Sequence, residues 1–196
     1  MIVIDVEFSG LNPHKHSILS IGAVDFSGEI KPFYMECRIW EGSHTMIESL
    51  EMNGFTQEEI IDKNKPTEGE LLISFFAWVA STGEHTIAGQ NPHIDLNFLQ
   101  EASSRWKINF PLAQRTIDLH TVAWVHMAGK GLAIPLDSGH SAINSDFIFT
   151  YVGIETEPRP HSAKNGAKWN AEALSRLIYN KNLYPEFKND AIPWKV

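Results

Sequence analysis

The chain has 196 residues, enough for a sizeable core, and a single domain over residues 1–196 is expected. Its net charge of −8 excludes a broad basic nucleic-acid surface, so any nucleic acid it handles must be short or held at a local site. The lone cysteine, Cys37, excludes an intramolecular disulfide and suits a reducing cytosol, no apolar run approaches the ~18 residues of a membrane span, and no signal peptide is expected.

The chain opens on Ile2, Val3, Ile4 and Val6, a β-branched run that predicts a strand buried on both faces. Gly10, Leu11, Asn12 and Pro13 turn it outward. Ile18 to Phe26 reads as a second strand. Ser27-Gly28 turns into a third, Ile30 to Trp40, giving an antiparallel meander. A polar stretch then leads to the turn Asn53-Gly54-Phe55-Thr56. Thr67 and Glu70 have the spacing of a capping box, and Leu71, Leu72, Phe75, Phe76 and Val79 continue as a helical stripe. Thr86 to Gly89 predicts a short buried strand, followed by a helix from about Pro92 to Trp106 with Asn91 as N-cap. Thr116 to Leu119 predicts another strand, leading into a helical Thr121 to Met127, with Asp118 as that helix's cap. Gly129 to Gly139 reads as a loop, and Ser141 to Val152 as a helix stopped by Gly153. A Pro-rich linker, Glu155 to Pro160, delivers His161 and a last helix carrying Ala167, Ala171, Leu174 and Ile178. The tail from Tyr184 to Val196 is expected to pack irregularly. Strands first, then helices alternating with short strands, describe a mixed sheet flanked by helices.

Asp5 and Glu7 interrupt the first strand at the strand period of two, so both carboxylates project from one face. Burial and mutual repulsion both oppose their ionisation, and a hard divalent cation that both could ligate removes the conflict. The plainer alternative is an edge strand with its acids in water. In the helix after Asn91, Asp95 falls on the stripe of Phe98, Leu99 and Ala102, which faces the sheet. A carboxylate there needs a partner or a metal, unless it simply sits in the first turn by the helix dipole.

Taken in order, these pieces resemble the DEDDh family of 3′–5′ exonucleases. The first family motif matches Asp5-Val6-Glu7-Phe8-Ser9-Gly10, the second Gly89-Gln90-Asn91-Pro92-His93-Ile94-Asp95, and the third His161-Ser162-Ala163. The Asn53 to Thr56 turn also resembles one in the family. The resemblance covers residues 1 to about 180. It implies an α/β fold of the ribonuclease-H-like class, a mixed sheet of antiparallel meander and parallel strands flanked by helices. It also implies hydrolysis of terminal phosphodiesters with two Mg²⁺ or Mn²⁺ ions per site. Asp5 would bridge the ions, Glu7 would bind the one carrying the nucleophilic water, Asp95 would serve the second, and His161 would be the general base. Phe8, Ser9, Gly10 and Asn91 would meet the substrate, a single-stranded or frayed end of DNA or RNA. Members of the family often dimerise, and a cytoplasmic, membrane-free protein is expected.

One position departs from the family. Its fourth carboxylate stands five residues after the His, and here that position is Gly166, preceded by Asn165. Gly offers no ligand, and Asn-Gly is a turn signal that predicts a helix beginning only after it. The chain is therefore expected to be slow with Mg²⁺, with Mn²⁺ restoring part of the rate. Two rival readings stay open: a degenerate member that binds nucleic-acid ends or a protein partner without cutting, and a phosphate-ester hydrolase for small nucleotides. The remaining histidines show no metal-ligand spacing; His93, two residues before Asp95, is close enough in sequence to lie near the site but is not counted among its residues.

Overall fold

The computed structural model describes residues 1–28 and 30–195; Glu29 and Val196 lie outside the described residues. A five-stranded sheet is built around β1 (Ile2–Phe8). On one side β2 (Ile18–Asp25) and β3 (Phe33–Glu36) continue antiparallel. On the other, β4 (Ile87–Gly89) and β5 (Thr116–Asp118) run parallel, giving the order β3-β2-β1-β4-β5. The buried run of β1 is thus the central strand, as its composition requires. The third strand is far shorter than Ile30 to Trp40. Pro32 has no amide to pair, and past Glu36 the backbone leaves the ladder: Arg38 donates to Pro66 and Ile39 to Ile60.

Alternate residues of β1 feed two cores. Ile2, Ile4 and Val6 pack with Leu71 and Phe75 of α3 (Glu68–Ala80) and Leu96 and Leu99 of α4 (Pro92–Trp106). Val3 faces the opposite side, where Ala167, Ala171 and Leu174 of α7 (Ala163–Tyr179) and Ile148 of α6 (Ser145–Val152) close the second core. Both capping groups of Thr67 and Glu70 are formed at the start of α3. α1 (Ile47–Asn53) ends at Gly54, whose φ of +74° supplies the left-handed cap. A second capping box, Thr56 with Glu59, opens the single turn α2 (Gln57–Ile60).

Several boundaries differ from those expected, each for a local reason. α5 (Leu119–Gly129) begins earlier because the Asp118 side chain accepts from the His120 amide. The loop over residues 129–139 contributes to a small hairpin, β6 (Leu136–Asp137) with β7 (His140–Ser141). That hairpin takes Ser141 away from α6, which starts instead behind Asn144, whose side chain accepts from Phe147. α7 begins before Asn165-Gly166, not after it: the Gly166 amide already donates to Ser162 at 2.8 Å, so a helical bond overrides the turn signal. Its buried stripe ends on Leu177, while Ile178 is 40% exposed. Among its described residues the tail holds one 3-10 turn, Pro185–Phe187, and is otherwise irregular. It is anchored by wholly buried Arg176, which pairs with Glu172 and donates to the Phe187 carbonyl. Among the described residues no helix is long and apolar enough to cross a membrane.

Candidate active site

Asp5 and Glu7 extend from β1 on the side of Val3, toward the first turns of α7, as the strand period requires. Two glycines set how close that helix comes. Gly22 is the register partner of Asp5 on β2, and a Cβ there would overlap the Ala163 carbonyl. A Cβ on Gly166 would overlap the Asp5 carboxylate. Asp5 therefore lies against bare helix backbone at Gly166.

Asp95 reaches the same region from the opposite layer. The Ile2 amide donates to Thr86, so the even-numbered amides of β1 point toward β4; pairing with β4 stops at Val3. The Val6 amide beyond it donates to the Asp95 carboxylate, a bond that holds the acid at the end of β1. The turn before Asp95 is held too. Asn91 is left-handed, with φ 51° and ψ 49°, and its amide donates to Asp118 Oδ1 at 3.0 Å. The same Asp118 caps α5 through His120 and Thr121, so one carboxylate fixes both the cap expected of it and the turn that presents Asp95.

The electrostatics follow from this crowding. Burial pushes Asp5 well above the usual carboxylate range, with Glu7, Asp95 and Glu157 adding repulsion. Burial likewise raises Asp95 well above that range, and its bond from Val6 only partly opposes the rise. Glu7 is raised from 4.5 to about 7, by burial and then by Glu157, with His161 pulling the other way. Three carboxyl groups sharing so little water hold their protons more tightly than usual, and ionising them together calls for added positive charge. Their oxygens suit a hard divalent ion, and in donor chemistry the set fits one. Among the described residues no three His, Cys, Asp or Glu side chains already stand as a ready metal cage.

A cleft of about 160 Å³ opens over Asp5, Glu7 and Glu157, lined also by Met52, His161 and Gly166, among others; Asp95 is buried and is not part of its lining. His161 is fixed at its rim by its backbone amide, which donates to Met52 at 3.0 Å. The residues expected to meet substrate divide. Phe8 stacks on Phe98 with ring centroids 3.8 Å apart and is only partly buried. Ser9 is turned inward and wholly buried, its hydroxyl donating to His44 and accepting from Ser17, so it builds the scaffold and has no free group for substrate. Gly10 is likewise structural, since a Cβ there would overlap the His16 ring. Asn91 occupies the N-cap position but makes no capping bond with its side chain. His93 is exposed on α4 and does not line the cleft.

Two contributors were not legible as site residues. Asn53 donates its side-chain amide to the Phe8 carbonyl at 3.1 Å, tying the Asn53-Gly54 turn to the end of β1. Glu157, within the stretch read as a linker, is 8% exposed and bonded to His161. Its only sequence signal is a Glu four residues before the His.

A family model for exonucleases, RNase_T, matches residues 2–174. In structure the chain is similar to E. coli exonuclease I in complex with a dA16 oligonucleotide, with a TM-score of 0.72 and 15% identity, covering 92% of this chain and 40% of that one. It is similar to the nuclease domain of 3′hExo, a DEDDh family member bound to rAMP, with a TM-score of 0.70 and 16% identity over 93% of this chain and 92% of that one. A moderately thermophilic exonuclease I from Methylocaldum szegediense gives 0.69 and 14%, over 93% and 41%. The chain thus spans about two fifths of the exonuclease I chains. No curated protein sequence matches it. At these identities the structural likeness carries the fold, the ribonuclease-H-like mixed sheet expected from the motifs. With the family match running over most of its length and through Asp5, Glu7, Asp95 and His161, the chain belongs to the RNase_T family of exonucleases, consistent with the DEDDh class its motifs resemble.

Proposed function

We propose that the chain is a metal-dependent 3′–5′ exonuclease that releases nucleotides one at a time from single-stranded or frayed nucleic-acid ends. The observation that carries this reading is the convergence of Asp5, Glu7 and Asp95 with His161 at the end of β1 and the starts of α4 and α7. Asp5, Glu7 and Asp95 would hold Mg²⁺ or Mn²⁺, two ions per site. When bound, such ions supply positive charge to offset the charge developing on a phosphodiester in its transition state. His161 takes a proton from the attacking water, since an imidazole is suited to that task near neutral pH. The water oxygen then bonds to the terminal phosphorus and the P–O3′ bond breaks. A nucleoside 5′-monophosphate leaves, and O3′ takes up a proton from solvent, so that the shortened strand ends in a 3′-hydroxyl. Phe8, only partly buried and stacked on Phe98 by one face, would offer its other face to the terminal base, as single-strand binders do.

Gly166 favours one second reading, a member that binds ends without cutting them, because the helix contributes no acid beside Asp5. Calorimetric titration with Mn²⁺ tests the site directly. Binding is expected in the wild type and lost in Asp5→Ala, while His161→Ala keeps binding and loses at least ~10²-fold in turnover. Equal Mn²⁺ binding by wild type and Asp5→Ala removes the assignment of the ligands, and full turnover in His161→Ala removes that of the base.

A further inference from the structure

Glu157 and His161 are four residues apart, but no helix joins them, because Pro158 and Pro160 lie between and α7 begins only at Ala163. The Glu157 side chain folds back across this turn. Its Oε2 stands 2.9 Å from His161 Nδ1, and its Oε1 accepts the Ser162 amide at 3.1 Å. The pair is sheltered, with the Glu157 side chain 6% exposed and that of His161 22%. The carboxylate also sits at the N-terminal end of α7, where the helix dipole favours an anion. It lies in the cleft with Asp5 and Glu7, and both feel its charge.

We propose that Glu157 is a positioning residue that holds His161 in the tautomer able to take a proton. This rests on the nuclease reading of the site. An ionised carboxylate only accepts hydrogen bonds, so a neutral ring must present its N–H at Nδ1 and keep the lone pair at Nε2. Nε2 is then the atom that receives the proton from water. Both oxygens of Glu157 are committed, one to the ring and one to the Ser162 amide, which fixes the direction of the pairing. Glu157 thereby prepares the base and leaves the fourth ligand position empty.

The arrangement makes a sharp difference between two substitutions. In Glu157→Gln, the Ser162 amide demands the side-chain oxygen, which turns the –NH₂ group toward Nδ1 and forces the ring proton onto Nε2. That tautomer cannot take a proton at Nε2, the defect that an amide causes beside a catalytic histidine. Glu157→Ala removes the orienting group but forces neither tautomer, so it is the milder lesion.

The test reads the imidazole nitrogens of the ¹⁵N-labelled full chain by long-range ¹H–¹⁵N correlation, with chelator present and at alkaline pH. His161→Gln identifies the His161 signals. The expected result is a proton on Nδ1 in the wild type and on Nε2 in Glu157→Gln. In parallel, kcat on a single-stranded oligonucleotide should fall at least ~10²-fold in Glu157→Gln and less in Glu157→Ala, with KM and Mn²⁺ affinity within about 3-fold of wild type. A wild-type ring protonated at Nε2 overturns the proposal without recourse to any variant. So does Glu157→Gln that is no slower than Glu157→Ala, or one that loses Mn²⁺ binding, which would make Glu157 a ligand. Absence of turnover in the wild type counts against the nuclease reading alone, while the tautomers still decide the pairing.

Discussion

Gly166 is the residue on which the proposed metal site turns. It sits inside α7, where Gly ordinarily costs about 1 kcal/mol relative to Ala, yet a methyl group there would overlap the Asp5 carboxylate. What must yield is the end of a side chain, not backbone, so the fold tolerates the change while the proposed metal site does not. Gly166→Ala should therefore melt within about 2 °C of wild type, or above it, and bind Mn²⁺ roughly 10-fold more weakly. Gly166→Asp displaces Asp5 in the same way but adds an oxygen donor, so its affinity should exceed that of the Ala variant. Calorimetry on the three proteins checks the order; Ala binding as tightly as wild type means that the seating of Asp5 on Gly166 has no bearing on the ion. At this scale Asp5 and Glu7 were legible because strand period alone aligns them. Glu157 was not, because two prolines disguise its segment as linker and its bonds exist only once the turn has closed.

Among the elements, α7 does most to assemble the site, and Gly22 is what admits it. A Cβ at Gly22 meets the Ala163 carbonyl, which is backbone, so the helix itself must retreat. Gly22→Ala should cost about 1–3 kcal/mol of stability, as overpacked cores do. It should also lower turnover more than Mn²⁺ affinity, since His161 enters with α7 while Asp5, Glu7 and Asp95 do not. A denaturant melt with turnover and titration on the same preparation checks this; an unchanged melt would mean that the helix is not seated on β2 as described. The helices whose signals are local were read closely, α3 from its capping box and α4 from Pro92. The end of β3, the start of α6 and the start of α7 were misread because non-neighbouring groups decide them. Pro66 and Ile60 draw the chain away from β3, the hairpin claims Ser141, and Ser162 accepts from Gly166. Such partners have no sequence pattern of their own.

For the whole molecule, the order β3-β2-β1-β4-β5 brings the acids together where β1 outruns β4, so the Val6 amide and both layers of helices meet at the carboxyl ends of parallel strands. That clustering has a cost the intact protein should reveal. In the metal-free fold Glu7 keeps its proton up to about 7, whereas the unfolded chain releases it near 4.5. The folded state then binds more protons across that window, so stability falls as pH rises from about 4.5 to about 7, and Asp5 and Asp95 act in the same direction. Melting curves with chelator should show this fall, and Glu7→Gln should lessen it by several degrees at neutral pH. A Glu7→Gln protein with the same pH slope as wild type would contradict the crowding. The most direct test of the account follows a single-stranded oligonucleotide, DNA and RNA in parallel, labelled at its 5′ end. Shortening with Mn²⁺ should run stepwise from the 3′ end, stop when that end is blocked, stop with chelator, and vanish in Asp5→Ala. Intact strands under every metal and substrate, or shortening that persists in Asp5→Ala, would contradict it.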